Sequence, residues 1–473
     1  MKNVKIAKKV VKKALNKAKP ATPDVPELLL VPRREGLRIG KPNVLEVLVR
    51  IPCPPLPEGK ARPSLNLAYV LDRSGSMANG PLEEAKRCTA SMIAQMGPQD
   101  YAALVVYDDS AKVVLSSRAV KSPALFAAAL AGIETAGSTN LHEGWLKGAH
   151  EVSRHQESAG VSRVILLSDG NANQGLTDTN AIEEQCRQLA AAGVTTSTYG
   201  LGESFNEDLM IRMARSGGGS GYYGQTADHL MEPFRTEFDL MSALAGRAVH
   251  LEVLPCQAAK VRVVNDYLST GKNQWLLPDL AWGGETWALL EVEILPPKTF
   301  VAGHRLEVTQ VKLGWTDLDG KACELGPVAL EVPLLTTACD GLPENELVAR
   351  RAGELAAAEY QRKAQEAAGR QAWREVDALL RKAKAQAANN PWVAEVMDVL
   401  VALAAQRDAA NFKKEAAYSS RQMNSRIADA CECGEGDANY SPLAEAGRQS
   451  FLRRKTYQGR TQFQDPTDSP QKN

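Results

Sequence analysis

The stretch that decides the fold is Leu65-Asn66-Leu67-Ala68-Tyr69-Val70-Leu71, which runs directly into Asp72-Arg73-Ser74-Gly75-Ser76. Its first seven residues are mostly apolar, and a short run of this kind is typical of a strand buried on both faces. A carboxylate and hydroxyls follow, so the strand ends in a polar loop. Similar apolar runs recur at 101–107 and 164–167, a further predicted strand rich in threonine lies at 194–199, and the segments between them have helical spacing.

Strands that alternate with helices of about 10–15 residues indicate βαβ units and a parallel sheet. We therefore predict an α/β fold with a doubly wound, mostly parallel sheet over 65–242. Its last helix is predicted at 227–242, with Leu230, Phe234 and Phe238 as the buried stripe. The glycines at 217–219 and 221 precede this helix, and two interpretations are open: they absorb backbone change as a hinge, or they only make a tight turn.

The segments on either side of this unit have a different pattern. Short β-like runs occupy 27–64, and from 249 onward strands are separated by turns rich in proline, glycine and aspartate. Helical spacing returns at 344 and predicts two or three helices. From 427 the sequence becomes polar and predicts a disordered tail.

Composition excludes several classes of protein. The chain has 473 residues, and its 56 Lys and Arg balance 56 Asp and Glu. Residues 1–23 hold eight lysines and no acid, so the rest of the chain is acidic, and a nucleic-acid-binding body is not expected. The eight cysteines are interpreted as reduced thiols. We find neither an apolar run of about 18 residues nor a secretory signal, which predicts a cytoplasmic protein.

Three polar segments follow predicted strands or enter helices. They are Asp72-x-Ser74-x-Ser76, then Gly137-Ser138-Thr139-Asn140, then Ser168-Asp169-Gly170. In an open parallel sheet, ligands bind beyond the carboxyl ends of the strands, where these segments would meet. Carboxylate and hydroxyl oxygens suit a hard divalent cation such as Mg²⁺ or Mn²⁺. The sequence therefore predicts a metal site.

These residues resemble the metal-ion-dependent adhesion site (MIDAS) of the von Willebrand factor type A (VWA) family. The resemblance covers about 65–242 and implies that the metal ligands are Asp72, Ser74, Ser76, Thr139 and Asp169. It implies Mg²⁺, with Mn²⁺ or Ca²⁺ as alternatives, and a protein partner that offers a Glu or Asp to the metal. A partner class that it suggests is the MoxR-type AAA+ ATPase.

The flanks resemble bacterial intracellular proteins in which such a domain is set into a β-sandwich and followed by helices. This implies the following divisions: a lysine-rich arm at 1–24, the first part of the sandwich at 25–64, the VWA domain at 65–242, the second part of the sandwich at 243–340, a helical region at 341–426 and the tail at 427–473. The function that follows is a metal-dependent adaptor without enzymatic activity, catalytic residues or a small-molecule substrate.

Two other functions remain open. Acids at strand ends together with Mg²⁺ are also found in hydrolases, although here Ser74 stands where a second carboxylate would be expected. Residues 1–23 have weak helical amphipathicity, so they predict either a solvated tail or an arm that binds an anionic membrane or nucleic acid. In that case the protein would act as a scaffold on such a surface.

Overall fold

The fold is a parallel α/β unit inserted into a β-sandwich, with a helical region after it. We describe it from a computed structural model. The described residues are 25–156, 160–169, 172–201, 205–224, 227–256, 259–295, 303–336, 339–387, 390–430 and 448–454. The lysine-rich arm, Gly170, Cys431 and Cys433 lie outside them. Within these ranges, no helix has the length and apolar character needed to cross a membrane.

The chain enters through three strands of the sandwich and then builds the α/β unit. The first strands are β1 (Leu29–Pro32), β2 (Leu37–Arg38) and β3 (Asn43–Pro52). The strands of the α/β unit are β4 (Leu65–Asp72), β5 (Tyr101–Tyr107), β6 (Ala111–Ala119), β7 (Val161–Ser168), β8 (Thr195–Leu201) and β9 (Gly218–Gly224). Its helices are α1 (Pro81–Ala94), α2 (Pro123–Ala131), α3 (Leu141–Ser153), α4 (Thr179–Ala191), α5 (Glu207–Ser216) and α6 (Ala227–Ser242).

The strands of the α/β unit form one six-stranded sheet in the order β6-β5-β4-β7-β8-β9. All neighbouring pairs are parallel except β5 and β6. Every residue of β4 and of β7 is buried, because helices cover both faces of the sheet. This explains why their sequences are apolar without alternation, and it confirms the predicted α/β fold.

The glycine run differs from the sequence-based interpretation. The sequence leaves a hinge or a tight turn open, whereas Gly218–Gly224 form β9, which pairs with β8 at the edge of the sheet. A Cβ on Gly219 would lie 2.2 Å from the carbonyl oxygen of Thr196. Glycine is therefore needed there for close approach of the two strands.

The sandwich is completed by strands that follow the α/β unit. They are β10 (Leu244–Pro255), β11 (Ala259–Val263), β12 (Leu268–Gly271), β13 (Gln274–Leu277), β14 (Leu280–Ala281), β15 (Gly284–Ile294), β16 (Arg305–Thr316) and β17 (Ala322–Leu335). One sheet has the order β1-β3-β15-β11, and the other has the order β12-β13-β10-β16-β17-β2. Alternate residues of β3, among them Val47 and Val49, share one core with alternate residues of β10, which are Val249, Leu251 and Val253.

The helical region contains four described helices, where the sequence predicted two or three. They are α7 (Glu346–Gly369), α8 (Trp373–Gln386), α9 (Pro391–Ala405) and α10 (Ala409–Ser425). Three of them begin at capping side chains, Asn345, Asn390 and Asp408, which accept backbone N–H groups of the first turn. The fully buried Trp392 and Phe412 belong to their common core.

The described parts of the predicted disordered tail are ordered. Residues 428–429 form β18 (Ala428–Asp429), which pairs with β15. Residues 448–454 pack against the α/β unit, where Phe451 and Leu452 join a small apolar cluster with Ile427 and Ala281. The prediction of disorder was based on the polar composition of the whole tail, which does not reveal the few apolar residues that pack here.

Candidate metal centre

The three polar segments meet at the carboxyl end of the central strands. β4 ends at Asp72 and lies between β5 and β7, and Asp169 directly follows the end of β7. Thr139 immediately precedes Asn140, whose side chain caps the start of α3. The chain runs from β4 to β5 on one side and returns to β7 on the other, so this is the point where the strand order reverses. Ligands of open α/β sheets bind at such points.

Asp72 is fully buried and held on both carboxylate oxygens. Oδ1 accepts the backbone N–H of Ser74 at 2.9 Å, and Oδ2 accepts the hydroxyls of Ser168 at 2.7 Å and Tyr107 at 3.3 Å. The sequence pattern did not identify Tyr107 or Ser168 as site residues. Ser168 stands next to Asp169 in the pattern, whereas the role of Tyr107 depends on strand register and has no local signal.

Ser74, Ser76 and Asp169 continue the same chain of contacts. The Ser74 and Ser76 hydroxyl oxygens are 3.1 Å apart, and Ser76 Oγ donates to Asp169 Oδ1 at 2.9 Å. Four of the five predicted ligands are thus linked by hydrogen bonds. Their hydroxyls and carboxylates provide only oxygen ligands, which magnesium and calcium prefer.

Thr139 is brought to the same crevice by its backbone. Its N–H donates to Asn173 Oδ1 at 3.0 Å, and its carbonyl accepts the Asn173 N–H at 3.1 Å. Two residues earlier, the Gly137 carbonyl accepts the Gly75 N–H at 3.1 Å. Gly137 has a positive φ of 63°, and a Cβ there would lie 2.7 Å from Asp109 Oδ2. Asn173 is a further site residue that the sequence analysis missed.

Asp108 and Asp109 hold the loops in place. Asp108 forms an ion pair with Arg73, and Asp109 accepts the backbone N–H of Ser138 at 2.9 Å. From the sequence, both could be outer groups of the metal site or turn residues. Their hydrogen bonds are those of residues that fix the loops around Thr139.

The electrostatics of the site favour a cation. Burial raises the pKa of Asp72, and burial together with the charge of Asp72 raises the pKa of Asp169 to about 6. Neither carboxylate forms an ion pair with any Lys or Arg that the structure describes. Other buried acids have such partners: Asp100 pairs with Arg62, and Glu237 with Arg163. The two site carboxylates therefore leave buried negative charge that a divalent cation would neutralise.

The donor set also indicates which class of metal fits. In the described ranges, no group of three or more His, Cys, Asp or Glu side chains is arranged to hold a metal ion. The candidate ligands are instead two carboxylates and three hydroxyls, which are all oxygen donors of the kind that hard divalent cations prefer.

Comparison with known protein families identifies the α/β unit that carries this candidate site. The family model described as von Willebrand factor type A domain matches residues 66–232. These residues form a VWA domain. It includes β4 and the loops that carry all five candidate ligands.

Relatives share this domain and in part its surroundings. The chain is 25% identical to YfbK of Escherichia coli over 295 residues, which are 58% of this chain and 51% of that protein. It is 31% identical to sll0103 of Synechocystis over 191 residues, which are 40% and 44% of the two chains. The chain thus spans about half the length of the curated relatives that it matches.

A solved structure resembles most of the chain. It is the von Willebrand factor type A protein from Catenulispora acidiphila, with a TM-score of 0.64 and 18% identity. The match covers 86% of this chain and 99% of that one. The shared fold therefore extends well beyond residues 66–232, into the segments that flank the VWA domain.

Proposed function

We propose that the protein is an adaptor that binds a partner protein through a divalent metal ion. Mg²⁺ is the proposed metal, with Mn²⁺ or Ca²⁺ as alternatives, and Asp72, Ser74, Ser76, Thr139 and Asp169 are the proposed ligands. One observation carries this proposal: two buried carboxylates, linked by serine hydroxyls, lack a described cationic partner at the carboxyl end of a VWA sheet.

The composition of the site determines what the metal would attract. Three of the five proposed ligands are neutral hydroxyls, so the bound ion would keep much of its positive charge. Mg²⁺ also retains exchangeable water. A carboxylate from another protein is therefore the natural additional ligand, and we propose that the partner supplies a Glu or Asp.

A metal-dependent hydrolase is less consistent with the geometry. A nucleophilic Asp72 would have to reach a substrate, but its side chain is fully buried, and Ser74 stands where a second carboxylate would be expected. The groups that contact the Asp72 carboxylate are hydroxyls and a backbone N–H, none of which is a general base at neutral pH. A phosphatase assay with and without Mg²⁺ tests this alternative.

Three features inferred from the sequence remain predictions. They are a MoxR-type AAA+ ATPase as the partner class that the resemblance suggests, a cytoplasmic location, and binding of residues 1–23 to an anionic surface. Binding of residues 1–23 to an anionic surface is tested by cosedimentation with anionic vesicles, comparing the full chain with a chain that lacks these residues.

The metal site is tested by calorimetric titration with Mg²⁺. Ser76→Ala removes one proposed ligand at an exposed position, so folding should be preserved. We expect Mg²⁺ affinity to fall by about tenfold or more. Ser153→Ala, a change at an exposed serine at the far end of α3, is the matched control. Equal Mg²⁺ affinity in the wild type and Ser76→Ala would contradict the ligand assignment.

Partner binding is tested with the same variants. The immobilised protein is exposed to a bacterial lysate in Mg²⁺ or in EDTA, and retained proteins are identified by mass spectrometry. We expect a set of proteins that the wild type and Ser153→Ala retain only in Mg²⁺ and that Ser76→Ala loses. Identical sets in Mg²⁺ and EDTA would contradict a metal-dependent adaptor.

A further inference from the structure

One positive side chain stands among the loops around the candidate metal centre. We call residues 73–80, 108–110, 132–140 and 172–178 the metal-site loops. Arg73 is the only Lys or Arg in these four ranges, whereas Asp108, Asp109, Glu134 and Asp178 are acidic. Within the metal-site loops, Arg73 is therefore the one positive side chain that could attract an acidic residue of a partner bound at the metal.

Arg73 is held in a fixed position. Its backbone N–H donates to the Tyr107 carbonyl at 2.9 Å, and its own carbonyl accepts the Ala136 N–H at 2.7 Å. Its Nη2 pairs with Asp108. Because backbone and side chain are both fixed, little conformational entropy would be lost when this guanidinium binds another group.

The guanidinium has unused binding capacity. The side chain is 28% exposed, and Asp108 is the one carboxylate with which the structure pairs it, through Nη2. Arg33 shows what one guanidinium can hold in this same protein: it pairs with Glu46 through Nη1 and with Glu344 through Nε and Nη2. Arg73 has one carboxylate and room for a second.

The surrounding charge restricts where a second acid is tolerated. Asp109 and Glu134 are both exposed, and they lie in the loops that pack beside Arg73. An acidic side chain would be repelled from these positions but attracted to Arg73. The metal and Arg73 are thus two neighbouring positions that attract negative charge, in a set of loops whose exposed acids, Asp109 and Glu134, repel it.

We propose that Arg73 is a second anchor for the partner, which therefore carries two nearby acidic residues. One carboxylate binds the metal, and the other pairs with the Arg73 guanidinium beside or in place of Asp108. This inference rests on the proposed function and identifies the kind of protein segment that the site selects.

The test uses Mn²⁺ in place of Mg²⁺, because water-proton relaxation reports both Mn²⁺ binding and displacement of its water. The probes are capped peptides of Ala, Ser and Gly that carry one Glu, two Glu one to four positions apart, or one Glu flanked by Lys. The proteins are the wild type, Asp108→Asn, the double variant Arg73→Ala/Asp108→Asn and Arg187→Ala. Arg187 is an exposed arginine on α4 with its own ion pair, and melting curves establish that each variant folds.

We expect the best two-Glu peptide to bind the wild type about fivefold tighter than the one-Glu peptide, the size of a favourable, partly exposed ion pair. Asp108→Asn should increase this advantage, since it frees Arg73 while Asn can still accept the Ser110 N–H. The double variant should bind the one-Glu and two-Glu peptides equally, and the ratio of these two affinities cancels any effect of the lost loop contacts on the metal site. Arg187→Ala should behave like the wild type.

Three outcomes would overturn the inference: equal binding of one-Glu and two-Glu peptides, tighter binding of the Lys-flanked peptide, or a weaker two-Glu advantage in Asp108→Asn. The last would mean that the ion pair only holds the loops. Failure of the proposed function is seen separately, because Mn²⁺ would then give no relaxation enhancement before any peptide is added, and the inference would fall with it.

Discussion

At the scale of single residues, Asp72 shows how a site residue can also be a core residue. It is fully buried beneath the loops, and three donors surround its carboxylate: the Ser74 N–H, Ser168 and Tyr107. Removing the carboxylate therefore affects both the proposed metal site and the folded state. The two effects can be separated by the choice of substitution.

We predict that Asp72→Asn preserves folding and weakens Mg²⁺ binding, whereas Asp72→Ala also lowers the free energy of unfolding by about 1–3 kcal/mol. Alanine leaves buried donors without an acceptor, while asparagine keeps an acceptor for the Ser74 N–H. Urea denaturation without metal measures the stability, and calorimetry measures Mg²⁺ affinity. Wild-type affinity in Asp72→Asn would argue against Asp72 as a ligand.

The raised pKa of Asp169 predicts how pH affects metal binding. Its pKa is raised to about 6 by burial and by the charge of Asp72, so below that pH a proton competes with the metal. We expect Mg²⁺ affinity to fall by roughly tenfold per pH unit below pH 6 and to level off above it. Calorimetry between pH 5 and 8, in buffers of different ionisation enthalpy, measures the affinity and the protons released.

The same pKa shift has a defined sign for the metal-free protein. Folded Asp169 binds its proton more tightly than the unfolded chain does, so its contribution to stability decreases as pH rises from about 4 to about 6. Asp169→Asn should remove this component of the pH dependence. For the metal-binding prediction of the preceding paragraph, an Mg²⁺ affinity of the wild type that does not change from pH 5 to 8 would contradict a titrating ligand at this position.

At the scale of elements, α6 is fastened to the sheet by a buried acid. Glu237 Oε1 accepts from Arg163 on β7 and from Ser197 on β8 at 2.6 Å, and Oε2 accepts from Tyr222 on β9 at 3.3 Å. The predicted stripe of Leu230, Phe234 and Phe238 is buried on the same helix. The helix thus combines an apolar face with one charged contact that reaches three strands.

We predict that Glu237→Ala lowers the free energy of unfolding by about 3–5 kcal/mol, because it leaves the buried Arg163 charge with Asp279, 3.6 Å away, as its remaining described carboxylate partner. Glu237→Gln should cost less, since the amide can still accept hydrogen bonds. Arg235→Ala changes an exposed arginine of the same helix and is the control. Urea denaturation and hydrogen exchange at 227–242 are the measurements, and equal effects of Glu237→Ala and Arg235→Ala would contradict this role.

The elements also show what the sequence could predict. The sequence predicts a helix at 178–192, and α4 spans Thr179–Ala191, since its apolar spacing and the Asp178 cap are local signals. The sequence does not predict strands β12 and β13, because each has only four residues and a polar Gly-Lys-Asn turn joins them within 268–277. The sequence does not predict strand β9 either, because glycine has a low strand propensity and the conformation of this strand is set by its contact with β8.

The candidate site is easier to predict than its supports. Side chains that follow neighbouring parallel strands must meet at one edge of the sheet, so local sequence is enough to select Asp72 and Asp169. Tyr107 and Asn173 act across strand pairing and loop packing, which periodicity does not report. Thr139 lies between these cases, because its place in the crevice is fixed by backbone contacts with Asn173.

At the scale of the whole molecule, segments distant in sequence cover the VWA domain. From α10, Glu415 accepts the Tyr223 hydroxyl at 2.7 Å, and Arg421 donates to the Gly219 carbonyl at 2.8 Å. The helical region therefore covers the edge strand β9, whose unpaired backbone would otherwise face solvent. Periodicity gives the buried face of a helix but not what it packs against, so the sequence does not predict these contacts.

The segment 448–454 makes a second such contact, with α6. Ser450 donates to Asp239, Arg453 contacts Glu232 at 3.4 Å, and Phe451 and Leu452 are buried. We predict that a chain ending at residue 447 is less stable than one ending at 454 by about 2–4 kcal/mol, from the apolar surface that two large side chains bury.

Comparing these two truncations isolates the seven residues from everything that follows them. Leu452→Ala in the full chain should account for a large part of the loss, whereas Arg448→Ala changes a partly exposed residue of the same segment and should cost less. Thermal unfolding and hydrogen exchange at 227–242 measure the effect. If both truncations melt alike and exchange at α6 is unchanged, the segment does not stabilise the VWA domain.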